Sequence, residues 1–267
     1  RACGLVRSQW RGGDFAREGG RRAMSLLECR QVSKIFGALT ALDRADLVIK
    51  ANEFHGLIGP NGSGKSTLLK CIAGAEIATS GSVMLSGKDI TRATPAERAE
   101  AGLSLKFQIT AVLAELSVYD NVLLALQSQG SWMKLLMSRS RRALHQPVMD
   151  KLQRFKLADR ANDIAGTLSH GQQQWLEIAM ALAREPKLLL LDEPTAGMSP
   201  QERRVTGELL APIRAHCSLL IVEHDLDFIR DICGSLTVLD QGQIVASGRT
   251  QDVQEDERVK SAYLSHA

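Results

Sequence analysis

Three short stretches carry residue types suited to phosphate chemistry. The first is Gly59-Pro60-Asn61-Gly62-Ser63-Gly64-Lys65-Ser66-Thr67, a complete G-x-x-x-x-G-K-[ST] run. Its glycines let the backbone wrap closely around a polyphosphate, with successive N–H groups pointing inward. A helix opening at its end adds partial positive charge. Lys65 can reach β- and γ-phosphates, and Ser66 can ligate Mg²⁺. The second stretch is Leu188-Leu189-Leu190-Leu191-Asp192-Glu193-Pro194, an apolar run ending in two carboxylates. Beside a phosphate loop, Asp192 is placed to hold the Mg²⁺ shell, and Glu193 to orient or deprotonate an attacking water. The third is Leu168-Ser169-His170-Gly171-Gln172, where a small polar residue and a glycine open a helix and make a second anion site. Two phosphate-binding edges in one chain are explained most economically by two copies facing each other, each lending one edge to the other's nucleotide.

The elements that must position these residues follow from patterning. Residues 54–58 are apolar and read as the strand feeding the loop, and 67–73 read as the helix leaving it, the context the motif requires. A chance glycine-rich turn containing a lysine would lack that order. Strands are expected at 26–33, 45–50, 81–85 and 102–107. The continuous apolar runs 188–191 and 219–222 read as strands buried on both faces. Capping boxes at Thr94-Pro95-Ala96-Glu97 and Ser199-Pro200-Gln201-Glu202 open helices, the second reaching about residue 216. Helices are also expected over 172–184, 225–233 and 250–264. Residues 236–239 and 243–246 flank Asp240-Gln241-Gly242 as a hairpin. From about 109 to 165 the pattern becomes that of amphipathic helices, with Val118, Val122, Leu123 and Leu126 on one face. An apolar patch at 132–137, around Trp132, and the basic residues Arg139, Arg141 and Arg142 precede a helix over 144–157, which confines Pro147 to its first turn. This section reads as a helical lobe inserted into an α/β core.

The chain has 267 residues, 44% hydrophobic and 24% charged, enough for one large domain or two lobes. Residues 1–23 are Gly- and Arg-rich without hydrophobic periodicity and read as a disordered tail or a non-native leader, so the domain is taken as 24–267. They hold six arginines against Asp14 and Glu18, a surplus of +4 against +3 for the whole chain. The remainder is therefore close to neutral, which argues against a nucleic-acid partner. No apolar run is long enough to span a membrane. Five scattered cysteines, without C-x-x-C spacing, read as reduced thiols.

The phosphate loop, Gln108, the Leu-Ser-His-Gly-Gln signature, the Leu-Asp-Glu-Pro strand end, Ala196-Gly197-Met198-Ser199 and His224 occur in one order. From Met24 onward the chain resembles the ATP-binding subunits of ABC transporters. The resemblance implies an α/β phosphate-loop (RecA-like) core with an antiparallel β edge near 26–52 and 83–87, plus an inserted helical subdomain. It implies that Phe36 stacks on adenine, although a core phenylalanine at a strand turn remains the alternative. Gln108 resembles the glutamine that senses Mg²⁺, and His224 the histidine that contacts the γ-phosphate. Ser66, Gln108 and Asp192 are thus the implied metal group, and Glu193 and His224 the catalytic pair. Ser169, His170, Gly171 and Gln172 match the signature that caps ATP across a dimer, with His170 in place of the usual first glycine. The implied cofactors are ATP and Mg²⁺. The implied partners are a second ATP-binding subunit, membrane permease subunits and, indirectly, a solute-binding protein, at the cytoplasmic face of the inner (plasma) membrane. Ile109 to Leu116 and the Trp132 patch are candidate docking surface. Leu-Ser-His-Gly-Gln followed by Gln174, Trp175, Leu176 and Glu177 resembles the hydrophobic-amino-acid uptake class, with urea or short-amide importers first and branched-chain amino acid importers next. A soluble ABC ATPase of the iron–sulfur assembly type is the alternative.

Overall fold

The computed structural model describes residues 25–106, 112–127 and 140–259. Residues 1–23, Gln108 with its neighbours Phe107 to Ala111, and the Trp132 patch lie outside the described residues. Two sheets organise the rest. Ten strands enter them: β1 (Ser25–Phe36), β2 (Leu39–Lys50), β3 (Phe54–Ile58), β4 (Ser80–Leu85), β5 (Lys88–Asp89), β6 (Leu103–Lys106), β7 (Leu188–Asp192), β8 (Ser218–Val222), β9 (Ser235–Asp240) and β10 (Gln243–Arg249). Eight helices accompany them: α1 (Lys65–Ala73), α2 (Pro95–Glu100), α3 (Val118–Gln127), α4 (Ser140–Arg154), α5 (His170–Ala181), α6 (Pro200–Leu210), α7 (Leu226–Ile232) and α8 (Thr250–Glu255).

The all-apolar strands form the middle of a six-stranded sheet ordered β10-β9-β3-β8-β7-β6. Its strands run parallel except β10, which pairs antiparallel with β9. Successive residues of a strand face opposite sides, and here both sides are covered. Leu188, Leu190, Leu220 and Val222 pack with Leu68 and Ile72 of α1 and with Leu27 and Leu47 of the second sheet. Leu189, Leu191, Leu219 and Ile221 pack with Trp175 and Ile178 of α5 and, further out, Val122 and Leu152 of the helical lobe.

The second sheet, β2-β1-β4-β5, is antiparallel throughout and stands apart from the six-stranded one. It is the antiparallel β edge expected near 26–52 and 83–87, packed on the core through Leu27 and Leu47. β1 and β2 are also twelve residues each, longer than their patterns indicate. Their register shifts between Cys29 and Val32 and again before Lys34, and Gln31 and Arg44 take positive φ values of 49°. Each bulge resets the two-residue alternation, so the sequence shows only the fragments between bulges.

Two prolines act differently from expectation. Pro147 lies inside α4, two turns from its start. The helix begins at Ser140, in a polar turn that carries no apolar period, so patterning places its start too late. Pro147 removes one backbone bond, while Val148 and Leu152 on the same helix are fully buried. Pro212 has the opposite outcome. The helix opened by Ser199 ends at Leu210 and tightens into a 3₁₀ turn at Ala211–Ala215, because proline cannot donate to the α-helical ladder. The two capping boxes close as the sequence implies, Thr94 with Glu97 and Ser199 with Glu202.

Arg98 of α2 is 1% exposed and donates to the carbonyls of Cys71 and Ile72 at the end of α1, and to those of Ala93 and Thr91. A buried guanidinium thus satisfies the last carbonyls of the helix behind the phosphate loop, where a positive charge is favourable. Burial itself pulls the Arg98 pKa down. Among the described residues no helix is long and apolar enough to cross a membrane.

Candidate functional site

β3, β8 and β7 are parallel neighbours with aligned ends: Leu57 pairs with Val222, and Val222 with Asp192. The residues that follow them therefore leave the sheet side by side at its carboxyl edge, where open α/β sheets place ligands. These are the phosphate loop after β3, Glu223 and His224 after β8, and Asp192 and Glu193 at the end of β7.

The phosphate loop is held from both sides. Gly59 has φ 153°, and a Cβ there would lie 2.0 Å from the Leu239 carbonyl oxygen of β9, so only glycine fits. Gly242, in the β9–β10 turn, donates its N–H to the Ser63 carbonyl at 2.9 Å, and Asp43 of β2 donates to the Gly242 carbonyl at 2.9 Å. Lys65 is 6% exposed, and its Nζ donates across the loop to the carbonyls of Gly59 and Pro60 at 2.8 and 2.9 Å. Burial lowers the Lys65 pKa, and the charges of Glu193 and Asp192 pull it back up. The lysine thus lies within the electrostatic reach of both carboxylates. The Ser63 hydroxyl is buried within the loop without a hydrogen-bond partner. A bent-over ammonium and an orphan hydroxyl on a glycine-rich turn fit a polyphosphate. The exposed Ser66 at the start of α1 and the carboxylate of Asp192 are hard oxygen donors suited to Mg²⁺.

Glu193 turns the chain out of β7 with φ 48°, a left-handed conformation that costs a residue with a side chain about 1–3 kcal/mol. Its N–H is fixed to the Val222 carbonyl at 2.9 Å. From this position its carboxylate accepts a hydrogen bond from His224 Nε2 at 3.0 Å. A half-exposed imidazole against a carboxylate at the mouth of the loop can hold a water and accept its proton.

Glu223, which sequence reasoning passes over, builds this pair. It is 4% exposed. One carboxylate oxygen accepts from the Thr195 N–H at 2.8 Å and the Thr195 hydroxyl at 2.6 Å, and the other from the His224 N–H at 3.1 Å. The loop after Glu193 is thereby fastened to the residue preceding His224. The only sequence signal is an acid directly after a buried strand. Glu223→Gln turns one acceptor into a donor facing one of these N–H groups, and is expected to cost about 1–3 kcal/mol in urea denaturation and to slow turnover. An unchanged midpoint would show that Thr195 and His224 are held by other groups.

The signature residues form a second group. Ser169 caps α5, its Oγ accepting from the Gln172 N–H at 3.2 Å, while Gln172 Oε1 accepts from the Ser169 N–H at 3.1 Å. A Cβ on Gly171 would lie 2.6 Å from Glu202 Oε1, so the N-terminus of α6 passes against this glycine. His170 Nε2 donates to the Ala196 carbonyl at 3.0 Å. The histidine that replaces the usual glycine therefore ties the signature to the segment after Glu193. Trp175 Nε1 donates to Thr206 Oγ1 at 2.8 Å, and Met198 packs at the same point. Arg203 pairs with Asp225, the N-cap of α7. Burial raises the Asp225 pKa, but donors from Phe228 and Arg203 outweigh it and hold the carboxyl below its usual range. Phe36 stands away from the core at the end of β1, 43% exposed.

The model for the ABC transporter family matches residues 42–196, more than half of the chain. The chain belongs to that family. This ABC ATPase is 32% identical over 251 residues to the high-affinity branched-chain amino acid transport ATP-binding protein LivG of Escherichia coli K12, covering 91% of this chain and 98% of that protein. Its fold matches the ADP conformation of the ATP-binding cassette MJ1267 of an ABC transporter with a TM-score of 0.79, at 32% identity over 90% of this chain and 99% of that one. It also matches a dimeric post-hydrolysis state of the cassette MJ0796 bound to ADP and Pi, with a TM-score of 0.72 and 27% identity over 84% and 98% of the two chains. The ABC ATPase is thus an ATP-hydrolysing subunit with the α/β phosphate-loop core that the motifs imply.

Proposed function

We propose that the chain powers an importer for branched-chain amino acids or for urea and short amides, working as a dimer with two ATP at the interface. The observation that carries the ATPase part is the Glu193–His224 pair beside Lys65 on one sheet edge. Lys65 and the loop amides from Gly59 to Thr67 hold the β- and γ-phosphates, and Phe36 carries the base. Ser66 and Asp192, with Gln108, would hold Mg²⁺, which would shield phosphate charge. Glu193 orients the attacking water and takes its proton, while His224 keeps the carboxylate aimed. Ser169, His170, Gly171 and Gln172 complete the partner subunit's site. The solute class is supported by the name of the relative LivG and by the Leu-Ser-His-Gly-Gln signature. In this reading the chain sits peripherally at the cytoplasmic membrane face, docked on permease subunits through the helical lobe. The ATPase domain is taken as 24–267.

Uptake by the assembled transporter, with leucine, urea and a short amide compared, tests the solute class. Leucine uptake selects the branched-chain reading, urea or amide uptake the other, and uptake of none removes both. Phe36→Ala is expected to weaken ATP binding by about 1–3 kcal/mol, the scale of a base stacked on an aromatic ring. Equal affinities measured by calorimetry would remove the base platform.

A further inference from the structure

Lys34 stands two residues before Phe36 on β1, and its ammonium lies 4.7 Å from the centre of the Phe36 ring. The lysine side chain is only 13% exposed and pairs with Glu76 Oε2 at 2.8 Å. Its Nζ also donates to the Ile77 carbonyl at 2.9 Å. Glu76 and Ile77 follow Gly74, the residue that ends α1, and the Glu76 N–H donates back to the Lys70 carbonyl of that helix at 3.1 Å. The strand is sewn to the same segment by Ile35 N–H to Thr79 Oγ1 at 3.1 Å and Thr79 N–H to the Ser33 carbonyl at 2.8 Å. One largely covered lysine therefore connects an exposed aromatic ring to the far end of the helix that begins as the phosphate loop.

We infer that Lys34 is a positioning residue for nucleotide binding: it holds the Phe36 ring at a fixed place relative to α1, so that base and phosphates meet a preset spacing. The inference rests on the reading of Phe36 as the base platform. An exposed ring at a strand end otherwise samples several rotamers, and ordering it on binding lowers affinity. A cation held over one face by two further partners restrains the ring beforehand and leaves the opposite face for a stacked base. Lys34 binds the segment beyond the last turn of α1, at the opposite end of that helix from the phosphate loop. In this proposal its effect on ATP passes through the ring.

The test is calorimetric titration of the full chain with ATP and, separately, with tripolyphosphate, which has no base. Lys34→Met keeps most of the side-chain length without the charge. It is expected to weaken ATP binding roughly two- to fivefold, the scale of an exposed cation–π contact, and to leave tripolyphosphate binding unchanged. Lys34→Arg is expected to restore ATP affinity. In a Phe36→Ala background, Lys34→Met is expected to have no further effect on ATP, because two residues acting through one contact are not additive. If Phe36→Ala weakens ATP binding but Lys34→Met does not, the inference fails and the base platform stands. Where Phe36→Ala itself is neutral, the platform reading fails and takes the inference with it. Equal losses for ATP and tripolyphosphate, or a Lys34→Met effect that persists without the ring, would make Lys34 a structural strap and overturn the inference.

Discussion

Glu193→Gln should bind ATP and fail to turn it over. One carboxylate oxygen accepts from His224 Nε2, and the left-handed turn that presents it is fixed by the Val222 carbonyl, so glutamine keeps the shape of the site. What it loses is the basic oxygen. A positioned general base contributes roughly 10²–10⁴-fold, and the rate should fall by that order. Affinity should hold or rise, because the substitution removes one negative charge from beside a polyphosphate, where like charges repel. The variant should accumulate as an ATP-bound dimer on gel filtration. Lys65→Ala removes the ammonium that spans the loop and should lose ATP binding itself, so the two variants separate chemistry from binding. Turnover by Glu193→Gln near the parent rate would mean that another group takes the proton.

Complementation has the second large effect. Lys65 marks one phosphate-binding edge and Ser169 another, and within one chain the signature is packed against Ala196 and Glu202. Alone, a site with only the first edge is open to water, where charge stabilisation of the γ-phosphate is weak. Lys65→Ala and Ser169→Glu should each be inactive, yet their mixture should recover part of the activity. In the mixed dimer one site keeps both an intact loop and an intact signature. The parent's rate per subunit should also rise with protein concentration. A constant rate from a proven monomer would place the signature in its own chain's site and remove the dimer mechanism. No recovery in proven mixed dimers would mean either that the two sites work only as a coupled pair or that the signature acts within its own chain.

The site was legible where chemistry demands fixed residue types at fixed spacing. Gly59 to Thr67, Asp192 and Glu193 stand out because a phosphate and a water leave few alternatives, whereas His224 stands out only through the resemblance carried by the order of the motifs. Glu223 could not be, because a buried carboxylate that serves backbone N–H groups has no spacing rule of its own. The same contrast holds in the fold. Leu188 to Leu191 announce a strand covered on both faces, whereas the bulges at Gln31 and Arg44 erase the alternation of β1 and β2. Pro147 sits deeper in its helix than apolar periodicity implies, because the first turn of α4 carries no apolar period. His170 looked like a departure from pattern, and its hydrogen bond to Ala196 gives the ring a partner that a glycine would lack.

The turn Asp240-Gln241-Gly242 takes the two positive φ values of a tight hairpin, 46° at Gln241 and 78° at Gly242. Tips of this kind are ordinarily the places where a chain tolerates an inserted tag or a permuted terminus. Here the tip is stitched by its Gly242 amide to Ser63 and by its carbonyl to Asp43, with Leu239 pressed on Gly59. Its length is thereby locked to the curvature of the phosphate loop. A fluorophore or epitope engineered into this surface turn would act as a wedge under the nucleotide, so labels belong elsewhere on the molecule.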